Sequence, residues 1–143
     1  MALRKKKKQR TVIEKDGKFY SVRGVELTRA SHTMTESAFW AHILSALRKA
    51  TRFWKPAVDK LNEGKRSNMS SNKRLKYEYH CECCNKWFPQ KEIELDHIIN
   101  CGGINGADKV AGWIERAFVE IEGFQRLCTT CHRKKTLLER GMR

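Results

Sequence analysis

Two cysteine pairs of identical spacing, Cys81-x-x-Cys84 and Cys128-x-x-Cys131, dictate where this chain must fold back on itself. Two such knuckles place four thiolates around one tetrahedral Zn²⁺, so the segments that carry them are expected to meet in space. No stretch reads as an export signal, and without one a metal site outweighs disulfide bonding for this cysteine pattern. A redox reading of one CxxC requires a strand-to-helix context and leaves the second pair unexplained. Cys83 would leave an awkward single-residue gap to Cys81, so it is read as a knuckle side chain. Cys101 is read as a structural or free thiol. All six cysteines lie in the second half of the chain.

Charge narrows the partners. The 143 residues carry a formal net charge of +14, and the first ten, MALRKKKKQR, hold six cations and no acid. Those six account for less than half of the excess, so the basicity is global as well as terminal. A polyanion is the expected partner, because each phosphate neutralised by Lys or Arg releases condensed counterions. No apolar run approaches the ~18 residues that span a bilayer, and no long basic amphipathic helix stands beside the charge run. A soluble, cytoplasmic protein without membrane contact is the expectation.

Along the chain, 1–10 is a basic arm and 11–63 an N-terminal hairpin and helical extension. The segments TVIEK and KFYSVR flank Asp16-Gly17, which supplies left-handed turn residues for a hairpin. Thr33 followed by Glu36 predicts a capping box, and Phe39, Trp40, Ile43, Leu44 and Leu47 recur at helical spacing as a core stripe. Pro56 is expected to end or kink that helix near Trp54, with a shorter one running to about Leu61. Arg48, Arg52 and Lys55 are expected to share a solvent-facing side, ordinarily just a solvated face but here also a phosphate-contacting surface. The stretch 64–76, rich in Ser, Asn and cations without apolar periodicity, reads as a basic linker.

Residues 77–143 read as a zinc-stabilised domain. After the first knuckle, 92–97 (EIELDH) alternates as a half-buried strand. A loop with Gly102, Gly103 and Gly106 follows, then a helix over 108–121, a strand over 124–127 and the second knuckle. Thr129 or Thr130 is expected to cap a last helix running to about Arg140 and ended by Gly141. A domain this small gains much of its folding free energy from the metal. His32, His42 and His80 have no partner spacing and read as surface or edge residues, with His80 a candidate for a hydrogen bond to the zinc shell.

The strings CECCNKWF, ELDHI and FQRLCTTCHRKKT, in that order, resemble the HNH family of nucleases. The resemblance covers about residues 77–140, and AFWAHILSALRKATRFWKPAVDKL is similar to the helical lead-in of small phage-encoded members. It implies an α+β fold, a zinc-stapled ββα-metal module behind a helical N-terminal extension, in which a hairpin and a helix enclose one divalent cation. It implies a metal-dependent endonuclease acting on double-stranded DNA, with phage DNA-packaging or recombination proteins as candidate partners and the cytoplasm of an infected bacterium as its location.

The chemistry of the residues agrees with the roles the resemblance assigns. Asp96 offers a hard oxygen and His132 an imidazole nitrogen, a donor pair suited to a catalytic divalent cation (Mg²⁺, Mn²⁺, Ni²⁺ or Zn²⁺) separate from the structural Zn²⁺. His97 is the candidate general base. Successive strand residues point opposite ways, so Asp96 and His97 are not expected to ligate one ion together unless the strand ends between them, and different roles follow. Arg133, Lys134 and Lys135 stand beside the ion site as candidate phosphate contacts, or as a solvated helical face. Gly123 occupies the position where many members carry the middle Asn; either Asn100, Asn105 or Gln125 replaces that brace, or the site is looser. The alternatives are a zinc-dependent DNA-binding or DNA-packaging accessory protein with an inactive site, and an RNA-binding protein, which leaves the Asp96-His97 pair unexplained. The metal reading requires Asp96 and His132 to converge; divergence of the two side chains, or a buried salt link in place of the ion, would end it.

Overall fold

The computed structural model describes residues 11–141 and shows a mixed α+β chain; the basic arm 1–10 lies outside the described residues. Its first elements are the antiparallel strands β1 (Val12–Lys15) and β2 (Lys18–Ser21). Their turn is the expected one, with Asp16 and Gly17 at φ 51° and 73°. Helix α1 (Glu36–Thr51) follows. Its cap is not the expected capping box: Thr35 accepts from the Ala38 N–H at 3.1 Å, while the Thr33 hydroxyl turns back to the Ala30 carbonyl. Glu36 is drawn away by the Arg29 guanidinium at 2.7 and 2.8 Å and by Trp40 Nε1 at 2.8 Å. Those donors hold its carboxyl down at about 2.

Helix α2 (Lys55–Glu63) has Trp54 as its N-cap and Pro56 in its first turn, where a missing N–H costs nothing. The segment 64–76 departs from the linker reading. Lys65–Ser67 forms a strand, β3, paired antiparallel with β4 (Tyr77–His80), which also pairs with β5 (Trp87–Pro89). The short KRS strand lacks apolar alternation because its side chains are held otherwise. Lys65 lies over the Tyr77 ring, Arg66 over the Trp87 ring, and Arg66 pairs with Glu78.

A second antiparallel pair joins β6 (Ile93–His97) to β7 (Phe124–Cys128), in a register that sets Asp96 opposite Gln125 and His97 opposite Phe124. Between them lies α3 (Val110–Ala117), shorter than the helix expected over 108–121: Phe118 closes it, and 3-10 turns stand on either side. The chain then enters α4 (Thr129–Glu139) directly from β7. Cys128 is the N-cap and no side chain caps it, so neither Thr129 nor Thr130 plays the expected part. Gly141, at φ 69°, follows the helix as expected.

Two cores result. Tyr79, Cys81, Ile93, Leu127, Cys128 and Cys131 form one, with Leu61 of α2 packed against it. Trp40, Ile104, Trp113 and Ala117 form the other, joining α1 to α3. Trp54 fastens the helical extension to the rest by donating from Nε1 to the Val119 carbonyl at 2.7 Å. No helix of the described residues is long and apolar enough to cross a membrane.

Candidate functional site

The two knuckles meet. The turn from β4 to β5 carries Cys81 and Cys84, and the junction of β7 with α4 carries Cys128 and Cys131. Their four sulfur atoms lie within 4.8 Å of one another. Zinc–sulfur bonds of ~2.3 Å put tetrahedral sulfurs ~3.8 Å apart, and Cys84 and Cys128 Sγ are already 4.0 Å apart. Burial alone would push the Cys81 thiol up, but N–H groups of Cys84, Cys128 and Cys83 outweigh it and bring it down to about 7. The Cys128 N–H donates to Cys81 Sγ at 3.2 Å. Four soft donors gathered at this spacing suit a structural metal ion such as zinc. Cys83 is exposed and outside the quartet; Cys101 donates to the Arg116 carbonyl at 3.3 Å, and burial pushes its thiol up. His80 packs against Trp87.

The first knuckle is braced by charges that sequence spacing does not reveal. Glu82, between its cysteines, accepts from the Arg126 backbone N–H at 2.7 Å and the Arg126 guanidinium at 3.0 Å, and pairs with Lys60 of α2 at 3.0 Å. Arg126 is buried on β7 and also donates to the Lys60 and His80 carbonyls. Gly64 makes room for it: a Cβ there would lie 2.1 Å from Arg126 Nε.

On the face of β6 toward α4, Asp96 and His132 converge, with Oδ1 and Nε2 separated by 3.7 Å. That is too long for a hydrogen bond, yet two donors each ~2.1 Å from one divalent ion sit ~3–4 Å apart. The other imidazole nitrogen, Nδ1, donates to Glu94 Oε2 at 2.7 Å, so in the neutral ring Nε2 is the nitrogen that carries the lone pair. Glu94 was not among the expected site residues, although it stands two residues before Asp96 and so shares its face. A salt link is present as well. Lys135 Nζ lies 2.6 Å from Asp96 Oδ2 and 3.1 Å from Glu139 Oε1, and donates to the His97 carbonyl. Lys135 is therefore turned inward and is not a free phosphate contact as expected, whereas Arg133 and Lys134 are exposed.

His97 occupies the opposite face of β6, as strand alternation requires. Its Nε2 donates to the Ala117 carbonyl at 2.9 Å, its ring lies against Phe124, and it lines a cavity of about 260 Å³ with Leu95, Thr51 and Arg52. Among the described residues no hydrogen bond or ion pair joins its ring to Asp96 or His132. Of the proposed braces, Gln125 holds Asp96 Oδ2 at 3.2 Å and Asn100 holds Glu139 at 2.8 Å, while Asn105 is exposed. The Gly123 carbonyl accepts from the Ile98 N–H at 2.9 Å, so backbone ties the residue after His97. Arg48 on α1 and Arg52 at its C-cap are exposed; Lys55 departs from that stripe, opening α2 and pairing with Asp59. Comparison of the chain with protein-family models, with curated proteins and with solved structures found no match.

Proposed function

We propose that this chain is an HNH-type endonuclease hydrolysing phosphodiester bonds of double-stranded DNA. The observation that carries the reading is the approach of Asp96 Oδ1 to His132 Nε2, with the far side of the imidazole fixed on Glu94. A hard oxygen and an oriented imidazole nitrogen fit a divalent cation, and a two-residue donor set leaves positions for water and phosphate. Such an ion supplies Lewis-acid stabilisation of charge on the phosphate and a more acidic bound water.

The chain's own groups do the rest. The bond from Nε2 to Ala117 fixes the tautomer of His97, leaving Nδ1 to take a proton from water. Asp96 and His97 are adjacent on opposite faces, so the scissile phosphate is assigned to the end of β6, where both faces are within reach. Lys135 offsets the charge of Asp96 at Oδ2 and leaves Oδ1 turned toward His132. Arg133 and Lys134 are free to hold flanking phosphates. The antiparallel pair β6–β7 running into α4, stapled at the cysteine quartet, supports assignment to the ββα-metal class. The likeness to small phage-encoded members extends the reading to an infected bacterial cytoplasm.

The second reading, a zinc-dependent DNA-binding or packaging accessory protein, draws on the Lys135–Asp96 ion pair, which engages one of the two carboxylate oxygens. Nicking of supercoiled plasmid at low salt, run separately with Mg²⁺, Mn²⁺, Ni²⁺ and Zn²⁺, decides between them. The expected result is metal-dependent cutting that His97→Ala abolishes while DNA binding and zinc content persist. A wild-type chain that binds DNA and is inert with all four metals selects the accessory reading, and undiminished cutting by His97→Ala removes the general-base role.

A further inference from the structure

The turn between α1 and α2 treats two neighbouring aromatic residues in opposite ways. Trp54 is driven inward, bonded to Val119 and edge-on to Phe118 at 5.6 Å between centroids. Phe53 is left 85% exposed. The backbone that carries it is ordered: the Arg52, Phe53 and Trp54 N–H groups donate in succession to the Lys49, Ala50 and Thr51 carbonyls, at 3.3, 3.1 and 3.2 Å. Single exposed hydrophobes are ordinary. The surroundings distinguish this one.

Arg48, Lys49 and Arg52 line a shallow depression of about 300 Å³ on α1. Among the described residues none of the three takes part in an ion pair. Arg52 also borders the cavity that contains His97. An outward phenyl ring on an ordered turn thus stands at the end of a cationic strip, unpaired among the described residues, that leads to the proposed base. Cations of this kind neutralise successive phosphates, and an apolar side chain among them enters an opened base step or stacks on an unpaired base.

We infer that Phe53 is a wedge that reads base-stacking defects, and that the preferred substrate is duplex DNA already opened by a bulge, mismatch or nick. Unstacking such a site costs less than opening an intact step, so the wedge converts a structural defect into affinity. This inference takes its partner from the nuclease reading. It does not depend on cleavage.

The test uses the full chain carrying His97→Ala, with 2-aminopurine placed beside a single-base bulge or in a matched intact duplex. Binding is expected to raise the fluorescence of the bulged DNA and to favour it by about tenfold, the order that stacking of one base on an aromatic ring supplies. Adding Phe53→Ala should abolish both effects while affinity for intact duplex stays within ~2-fold, since the phosphate contacts remain. Phe53→Trp should retain them. A preference and a fluorescence rise that survive Phe53→Ala overturn the wedge, as does a chain that binds bulged and intact DNA alike. Binding to anionic vesicles that requires Phe53, without any effect of Phe53→Ala on DNA, overturns it in favour of a membrane contact. Plasmid nicking by the chain with His97 intact is scored alongside: if it fails with every metal while the fluorescence rise persists, the nuclease reading falls and the wedge stands; nicking without the rise does the reverse.

Discussion

His132 is gripped from behind by Glu94: Nδ1 to Oε2 is 2.7 Å, while Nε2 looks across 3.7 Å at Asp96 Oδ1. One strand, β6, supplies both carboxylates, because residues two apart share a face. One helix, α4, supplies the imidazole. The cysteine quartet holds α4 directly through Cys131, one position before His132, and β6 only through its neighbour: Cys128 ends β7 and pairs with Ile93 of β6. The ordering of the second pair of donors is therefore coupled to the integrity of the first group.

Removing the grip on Nδ1 is expected to weaken cation binding at the Asp96–His132 pair without unfolding the chain, since Glu94 is exposed. Partners of this kind are worth ~10–100-fold in metal affinity or activity. Glu94→Leu should show a loss of that order in Mn²⁺ titration by paramagnetic resonance, in parallel with plasmid nicking. Glu94→Gln, whose amide oxygen still accepts from Nδ1–H, should lose less. Equal Mn²⁺ affinity in wild type and Glu94→Leu would show that the carboxylate does not position the imidazole.

The quartet makes a stronger demand. Binding free energy of a structural zinc runs to ~10–16 kcal/mol in small metal-dependent domains, comparable with or above the ~5–15 kcal/mol net stability of a whole domain. Cys128→Ser, or chelation of the native chain, is expected to abolish cooperative melting of the β4–β7 region and to release zinc measurable with a chromogenic chelator. A metal-free chain with the same melting curve would refute a structural role for the quartet.

What could be read in the sequence was whatever repeats locally. The paired CxxC motifs, the α1 stripe from Phe39 to Leu47, the Asp16-Gly17 turn and the opposed directions of Asp96 and His97 each follow from spacing. Long-range charge pairing does not. Glu82, Arg126 and Lys60 come from three separate segments, and no spacing rule connects them. Strand β3 went unread because KRS owes its place to partners in β4 and β5 rather than to its own pattern. The cap of α1 moved from Thr33 to Thr35 because Arg29 and Trp40 claim Glu36, a competition among tertiary contacts.

Gly64 carries that lesson into a measurement. In sequence it opens a linker; in space a Cβ would lie 2.1 Å from Arg126 Nε and 2.7 Å from its Cδ. The guanidinium cannot simply swing away, because it is held by Glu82 and by the Lys60 and His80 carbonyls. Gly64→Ala should cost roughly 1–3 kcal/mol, the range for overpacking a filled interior. The loss should be seen as a lower urea midpoint at unchanged slope. Wild-type stability in Gly64→Ala would mean that Arg126 has a second resting place of similar energy.

Gly123 poses the converse question, since the resemblance to HNH nucleases places an Asn there. Its φ lies outside the left-handed region, so the backbone does not require glycine. The neighbour does: a Cβ would meet Val119 Cγ2 at 2.4 Å and Val119 Cβ at 2.7 Å. Val119 is itself stiff at χ1 and fixed through its carbonyl to Trp54. Gly123→Asn alone should therefore destabilise the chain by about 1–3 kcal/mol. Combining it with Val119→Ala should recover part of that loss, because one short contact remains, and combining it with Val119→Gly should remove the clash altogether. Equilibrium unfolding of the three variants against Val119→Ala and Val119→Gly alone gives the coupling directly. A coupling energy near zero would show that something other than Val119 keeps this position free of a side chain.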